Sequence, residues 1–410
     1  MNNLLVTYHE ALDMIEARTG ALPPRTLNWR EAQGMTLAED VHAREPYPPF
    51  TNSAMDGYAV RAEDTFAASP DLPVALLVQE EIFAGKAVPR KALHPGYATQ
   101  IMTGAPVPEG ADAVVMVERT RRKDDRVLIF QSARAGENIR EKGEELTQGE
   151  LILFAGEPLG SVELGILAQQ GILQVKAIPR PTVAILSTGD EIVEPEEATT
   201  GGQIRNTNQY TLGAELKRFG CTTVPLGIAG DDRNQLRKKI EEGLNAADVL
   251  LTSGGVSAGE KDYLPSLLTE MGMKTIFHKV SIKPGKPLLF GKIQNKIIFG
   301  LPGNVVSVLA SFHLFVKPAL RRMAGMERWK NPTWYVRYGE PFTNKSGRTN
   351  FIRCTLKHSP NGLPIAFPTG RQGSGMLSSM RNAHGFAKIP ADLENLAEFD
   401  IVEFIPITGE

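Results

Sequence analysis

Three glycine-rich polar turns follow apolar runs in the middle of the chain: Ser187-Thr188-Gly189-Asp190-Glu191, the longer Thr252-Ser253-Gly254-Gly255-Val256-Ser257-Ala258-Gly259-Glu260-Lys261-Asp262, and Gly300-Leu301-Pro302-Gly303-Asn304. Glycine lets backbone N–H groups turn toward an oxyanion, and the N-terminus of a following helix adds partial positive charge. A phosphorylated ligand fits that geometry. Taken singly, each turn also reads as an ordinary connection; recurrence at three strand ends is what points to a site. Glu191, Asp231 and Asp262 stand at or just beyond strand ends, a set that suits Mg²⁺ held with waters and substrate phosphates. Asp231 has a competing role, because it or Asp232 can cap the next helix. Lys283-Pro284-Gly285-Lys286-Pro287 places two ammonium groups three residues apart in a chain stiffened by prolines, which bars a helix or a central strand. Such a pair binds a tetrahedral oxyanion as point charges, or stands in a solvated loop.

The elements around these turns alternate. An apolar run over 182–187, a helix over about 208–219, a run over 222–228, a helix over about 232–245 and a run over 249–252 predict a parallel, doubly wound sheet. A further buried strand over 296–299 and a long apolar helix over about 304–323 complete this layer. At the start, Thr7 and Glu10 form a capping box for a helix with Ala11, Leu12 and Ile15 on its apolar face and Gly20 as its stop. Short β-prone runs at 72–78, 113–117 and 126–130, separated by turns such as APVPEGAD, predict a β-rich domain. It interrupts a helical layer whose second member is 161–170, expected to pack beside the first helix. Runs at 334–338, 351–356, 385–389 and 400–405 predict a closing β-barrel or sandwich. The boundaries expected are 1–25 with 45–52 and 147–178 for a mixed N-terminal domain, and 26–44 with 53–146 for the inserted one. The α/β domain is expected over 179–326 and the barrel over 327–410.

Composition narrows the classes of function. The chain has 410 residues, 22% of them charged, and a net charge of −2, so no global basic field exists to hold nucleic acid. Residues 179–326 carry 18 Lys and Arg against 14 Asp and Glu, a net of +4 that leaves −6 elsewhere. Two cysteines, Cys221 and Cys354, cannot build a zinc cluster or a disulfide framework, which suits a reducing compartment. No run reaches 18 apolar residues and the first residues lack a leader pattern, so a cytoplasmic protein without membrane contact is expected.

Six segments, SAMDGYAV, IMTGA, STGDE, SGGVSAGEKD, KPGKP and LPGN, stand in an order and spacing that resembles the molybdopterin molybdenumtransferases, the family of MoeA and of the carboxyl-terminal domain of gephyrin. The resemblance runs from about residue 4 to the end. It implies an elongated multidomain subunit with a molybdopterin-binding α/β domain, an inserted β-rich domain and a C-terminal β-barrel, paired as a homodimer. It further implies the reaction: molybdate is inserted into adenylylated molybdopterin with release of AMP, Mg²⁺ being required. Contact with other molybdenum cofactor synthesis proteins and with acceptor molybdoenzymes is implied as well.

Carried over position by position, the resemblance implies catalytic roles for Asp56, Thr103, Glu191, Asp231 and Asp262, with Glu191, Asp231 and Asp262 also holding the metal. It implies substrate contacts from Ser187, Thr188, Gly189, Asp190, Ser253, Gly254, Gly255 and Ser257, from Lys279, Lys283 and Lys286, and from Pro302, Gly303, Asn304 and Ser307. Asp56 and Thr103 would reach the cleft across the dimer interface. Arg353 and Ser374 would face the same cleft. Two departures stand out. Val305 replaces a proline usual in PGNPVS, and Glu145 replaces the aspartate of a GED turn. Two other functions share parts of the pattern. Molybdopterin adenylyltransferases use a similar glycine-loop layer but lack SAMDGYAV, and the scaffolding role of gephyrin accompanies a further domain on a long linker.

Overall fold

The computed structural model describes residues 5–85, 89–256, 263–359 and 362–407. They fall into two compact units, one of Met1–Glu39, Gly156–Ser161 and Gln174–Glu410, the other of Asp40–Ala155 and Val162–Leu173.

The first unit is built on a seven-stranded sheet. Its strands are β1 (Leu5–Val6), β2 (Thr182–Thr188), β3 (Thr222–Ala229), β4 (Val249–Ser253), β5 (Lys274–Val280), β6 (Pro287–Ile293) and β7 (Lys296–Leu301), in the spatial order β1-β5-β6-β7-β4-β2-β3. β7, β4, β2 and β3 run parallel, as the alternating pattern predicts. The sheet as a whole is mixed, because β6 is antiparallel to both β5 and β7. Alternate residues of β2 feed opposite cores. Val183 and Ile185 face α1 (Tyr8–Glu16), α2 (Thr207–Arg218) and the 305–323 helix, whereas Ala184 and Leu186 face α3 (Arg233–Ala246) and α4 (Leu264–Glu270).

Helix α1 begins as predicted. The Thr7 backbone N–H donates to Glu10 Oε2 at 2.8 Å and the Glu10 N–H donates to Thr7 Oγ1 at 3.3 Å. It ends at Glu16, before Gly20, and Ala11, Leu12 and Ile15 are buried in the core of the sheet. The predicted neighbour, Ser161–Gln169, falls mostly within the second unit, so the expected two-helix layer does not describe α1, whose partners are the sheet and the long helix. That long helix, Val305–Ser311, continues through a π segment, Phe312–Val316, into Lys317–Met323. It is buried almost all round.

Also in this unit, five strands (Trp334–Tyr338, Thr349–Lys357, Ile365–Pro368, Gly385–Ile389 and Ile401–Pro406) close on themselves as a barrel, with Ile282–Lys283 added at an edge. The second unit centres on a six-stranded sheet in which Gly57–Val60 lies between Tyr97–Ile101 and Ala113–Met116. Gly57 is required there, since a Cβ would sit 2.0 Å from the Val115 carbonyl oxygen. Among the described residues, no helix is long and apolar enough to cross a membrane.

Candidate active site

The chain passes from β2 to β3 on one side, then crosses back to β4 on the other, so the loops leaving β2 and β4 diverge. Open α/β sheets bind ligands at such a switch point, beyond the carboxyl ends of the strands. A pocket of about 440 Å³ lies there.

Register brings the three glycine turns together. Ser187 pairs with Ser253, and Ser253 with Leu301, so the turns after β2, β4 and β7 start level with one another. Gly254, at φ +94°, packs so tightly on the first turn that a Cβ would be 2.4 Å from the Thr188 carbonyl oxygen. Its N–H donates to the Leu301 carbonyl at 3.1 Å, tying the second turn to the third. Thr188, Gly189, Gly254, Gly255, Pro302 and Gly303 all line the pocket. Asn304 and Ser307, at the start of the long helix, line it too. The Asn304 Nδ2 donates to Ser374 Oγ at 3.1 Å.

Acidic residues arrive from two neighbouring strand ends. Glu191 folds back over Gly189, where a Cβ would meet Glu191 Oε2 at 2.5 Å. Asp190 is exposed and does not line the pocket; its Oδ1 accepts the Asp231 N–H at 2.8 Å. The capping ambiguity resolves cleanly: Asp232 caps α3 by accepting the Gln235 N–H at 2.7 Å, and Asp231 lines the pocket with Glu191. Ser257 and Asp262 lie outside the described residues. Among the described residues, no group of three His, Cys, Asp or Glu side chains could hold a metal ion.

Below the turns runs a buried polar chain. The Ser253 hydroxyl donates to Ser187 Oγ at 3.4 Å, and Ser187 Oγ donates to Asn206 Oδ1 at 2.8 Å. Asn206 and Asn208 also line the pocket, and sequence reasoning missed both. Asn208 Nδ2 donates to the Gly303 carbonyl at 2.8 Å, so α2 is fastened to the third turn. The Asn206 Nδ2 donor and the Asn208 Oδ1 acceptor are buried without a partner among the described residues. Two asparagines two residues apart at a helix start were the available signal; Asn206 also caps α2, its Oδ1 accepting the Gln209 N–H at 3.4 Å.

The lysines lie beside this pocket without lining it. Lys283 and Lys286 are exposed, with Pro287 at the pocket wall, and Lys279 is half-buried on β5. Lys283 occupies the short edge strand that pairs with Asn350 of the barrel. Arg353, on the barrel strand Thr349–Lys357, is buried and ties down a distant loop: Nε donates to Ser379 Oγ at 3.1 Å and Nη2 to the Gly373 carbonyl at 3.2 Å. Burial pushes its guanidinium down to about 10. Asp56 and Thr103 belong to the second unit, where Asp56 Oδ1 accepts both the Thr103 N–H and its hydroxyl at 2.7 Å. Those bonds, the backbone one foremost, hold the Asp56 carboxyl below its ordinary range. Glu145, with Glu144 and Arg140, lines a separate hollow of about 410 Å³ in the same unit.

Three family models cover nearly the whole described chain: the MoeA N-terminal region (domains I and II) over residues 6–171, a probable molybdopterin-binding domain over 184–322, and the MoeA C-terminal region (domain IV) over 335–407. The chain belongs to the MoeA family of molybdopterin molybdenumtransferases. A molybdopterin molybdenumtransferase from Haemophilus influenzae is 36% identical over 93% of each chain. A molybdopterin molybdenumtransferase 2 from Mycobacterium tuberculosis is 38% identical over 92% of this chain and 93% of its own. The crystal structure of a molybdopterin biosynthesis MoeA protein from Pyrococcus horikosii superposes with a TM-score of 0.81 at 33% identity, over 99% of this chain and all of the other. The MoeA fold therefore extends over both units. As a member of the family the chain is a transferase of molybdenum cofactor synthesis.

Proposed function

We propose that the pocket at the switch point takes adenylylated molybdopterin, and that molybdate is inserted into it with release of AMP. The supporting observation is convergence: three glycine turns, two carboxylates and two buried amides with open hydrogen-bonding atoms meet around one pocket. The turns at 188–189, 254–255 and 302–303 bind the pyrophosphate through backbone N–H groups. Asn206 Nδ2 and Asn208 Oδ1 orient the ligand, since neither has a partner among the described residues and each gains one from it. Lys279, Lys283 and Lys286 attract molybdate, a compact dianion for which ammonium point charges are suited. Ser307 donates its hydroxyl to the same oxyanion.

Glu191 and Asp231 fit Mg²⁺, because that ion uses one or two carboxylates and fills its other positions with water and phosphate oxygens. Asp262 is the third carboxylate of this reading. When bound, the ion supplies charge neutralisation at the phosphates. Members of the family usually form dimers. We assign Asp56 and Thr103 to the site of the partner subunit, which makes the dimer the active species.

The decisive measurement is AMP release from adenylylated molybdopterin with molybdate and Mg²⁺, followed by reconstitution of a molybdoenzyme. Release should depend on the oxyanion. Adenylylation of molybdopterin from MgATP without metal insertion would overturn the reading. Asp56→Asn and Asp231→Asn should each be inactive, yet mixed dimers should recover about a quarter of wild-type activity, because random pairing leaves half the dimers with one intact site of two.

A further inference from the structure

The 305–323 helix carries Lys317 and Arg321 into the interior, 7% and 3% exposed, although neither serves the pocket at the strand ends. They form the wall of a second pocket of about 490 Å³, with Arg180, Arg218, Arg328 and Lys330. Arg180 stands two residues before β2 and Arg218 ends α2, so this pocket opens at the amino-terminal edge of the sheet, opposite the turns. Ser307 lines the first pocket and Arg321 the second, and at fourteen positions apart along the helix they are separated by roughly 20 Å. The two are separate sites.

We propose that this second pocket binds a small polyanion of the phosphate class, such as inorganic pyrophosphate. Six cationic side chains line it, and its described wall residues supply one carboxylate, Glu215. Glu215 is shared, 2.8 Å from Arg218 and 3.9 Å from His313. Lys330 pairs with Glu16 at 3.5 Å, which leaves the excess of positive charge large. The cations are also held in place. Arg321 Nη1 donates to Asn331 Oδ1 at 2.9 Å, and the Arg180 guanidinium stacks 4.4 Å from the centre of the Phe219 ring. Guanidinium groups fixed in this way are preorganised for phosphate oxygens. Burial first, then mutual repulsion, pushes Lys317 down to about 8 and Arg321 to about 10. An incoming anion relieves that repulsion. The pocket is of small-ligand size, and its deepest charges lie below the surface, beyond the reach of a duplex backbone.

Calorimetric titration with inorganic pyrophosphate tests this without reference to metal insertion. Binding should weaken by about tenfold or more in Arg328→Gln and again in Arg218→Gln, both at exposed positions, as expected for loss of charged hydrogen bonds. Lys317→Met should remove one binding event, the one that persists in Asn206→Ala, so the two variants separate this pocket from any pyrophosphate bound at the glycine turns. Unaltered pyrophosphate affinity in the Arg328→Gln, Arg218→Gln double variant overturns the proposal. Equal competition by chloride at matched ionic strength does so too, and either result leaves the AMP-release reading standing.

Discussion

Two glycines of the candidate site should respond in opposite ways to the same added methyl group. Gly254 sits at φ +94°, and an alanine Cβ there would lie 2.4 Å from the Thr188 carbonyl oxygen and 2.9 Å from Thr188 Oγ1. Holding an L-residue in that backbone region costs about 1–2 kcal/mol. A carbon–oxygen contact relaxes only near 3.3 Å, so the buried strand end must move by roughly 1 Å. Overpacking of that kind costs about 1–3 kcal/mol more. The sum, about 2–5 kcal/mol, should appear as a lower urea midpoint for Gly254→Ala. Gly303 is different: a Cβ meets nothing within 4 Å and its φ is not left-handed. Gly303→Ala should therefore keep stability within about 0.5 kcal/mol. It should nevertheless lose affinity for adenylylated molybdopterin, because the methyl group stands where the ligand's phosphates approach the backbone. A stable Gly254→Ala would refute the packing argument, and wild-type binding by Gly303→Ala would refute the backbone role of the third turn.

The neighbouring aspartates should separate in the same manner. Asp232→Ala removes the α3 cap and should cost about 1 kcal/mol in urea unfolding with AMP release largely retained, whereas Asp231→Ala should abolish release at little cost in stability. His313 is buried, and desolvation with the nearby cations of Lys317, Arg218 and Arg321 pushes it down to about 3. The unfolded chain then takes up a proton below about pH 6.5 that the folded chain refuses, so stability falls as pH drops toward 3 at up to ~1.4 kcal/mol per unit. Comparing urea midpoints at pH 7 and pH 5 should show about 2 kcal/mol lost for wild type and less for His313→Gln. In Thr103→Val the hydroxyl bond to Asp56 is gone while the N–H bond stays, so carboxyl NMR should show Asp56 titrating at higher pH than in wild type.

Local chemistry made much of this structure readable in advance. Thr7 and Glu10 specify a helix start by themselves, and the apolar runs of β2 and β4 can hardly be anything but buried strands. β7 was read as a strand, but its hairpin partner β6 escaped because the turn between them, Gln294-Asn295, carries no Gly or Pro to punctuate it, although Gln294 adopts φ +50°. Asn206 and Asn208 were invisible for another reason. Their place in the pocket depends on β2 lying between β3 and β4, which is a fact of sheet order that residue spacing does not contain. The Asp231 and Asp232 ambiguity is a limit of spacing also, since either residue stands at a suitable offset and backbone geometry alone selects Asp232. Arg353, expected in the cleft, satisfies its guanidinium on Ser379 and the Gly373 carbonyl, bonds that link distant parts of the barrel.

The π segment at Phe312–Val316 sets a phase relation along the long helix. Each residue of an α-helix turns about 100°, and a π turn accommodates one residue beyond the α repeat. Ser307 before it and Arg321 after it therefore point in directions that an unbroken α-helix of this length would not give. Deleting one residue within 312–316 would restore a regular α turn and leave Lys317 and Arg321 facing their wall, whereas converting the segment to α-helix at unchanged length would swing every later side chain by about a quarter turn while the Ser307 end stays in register.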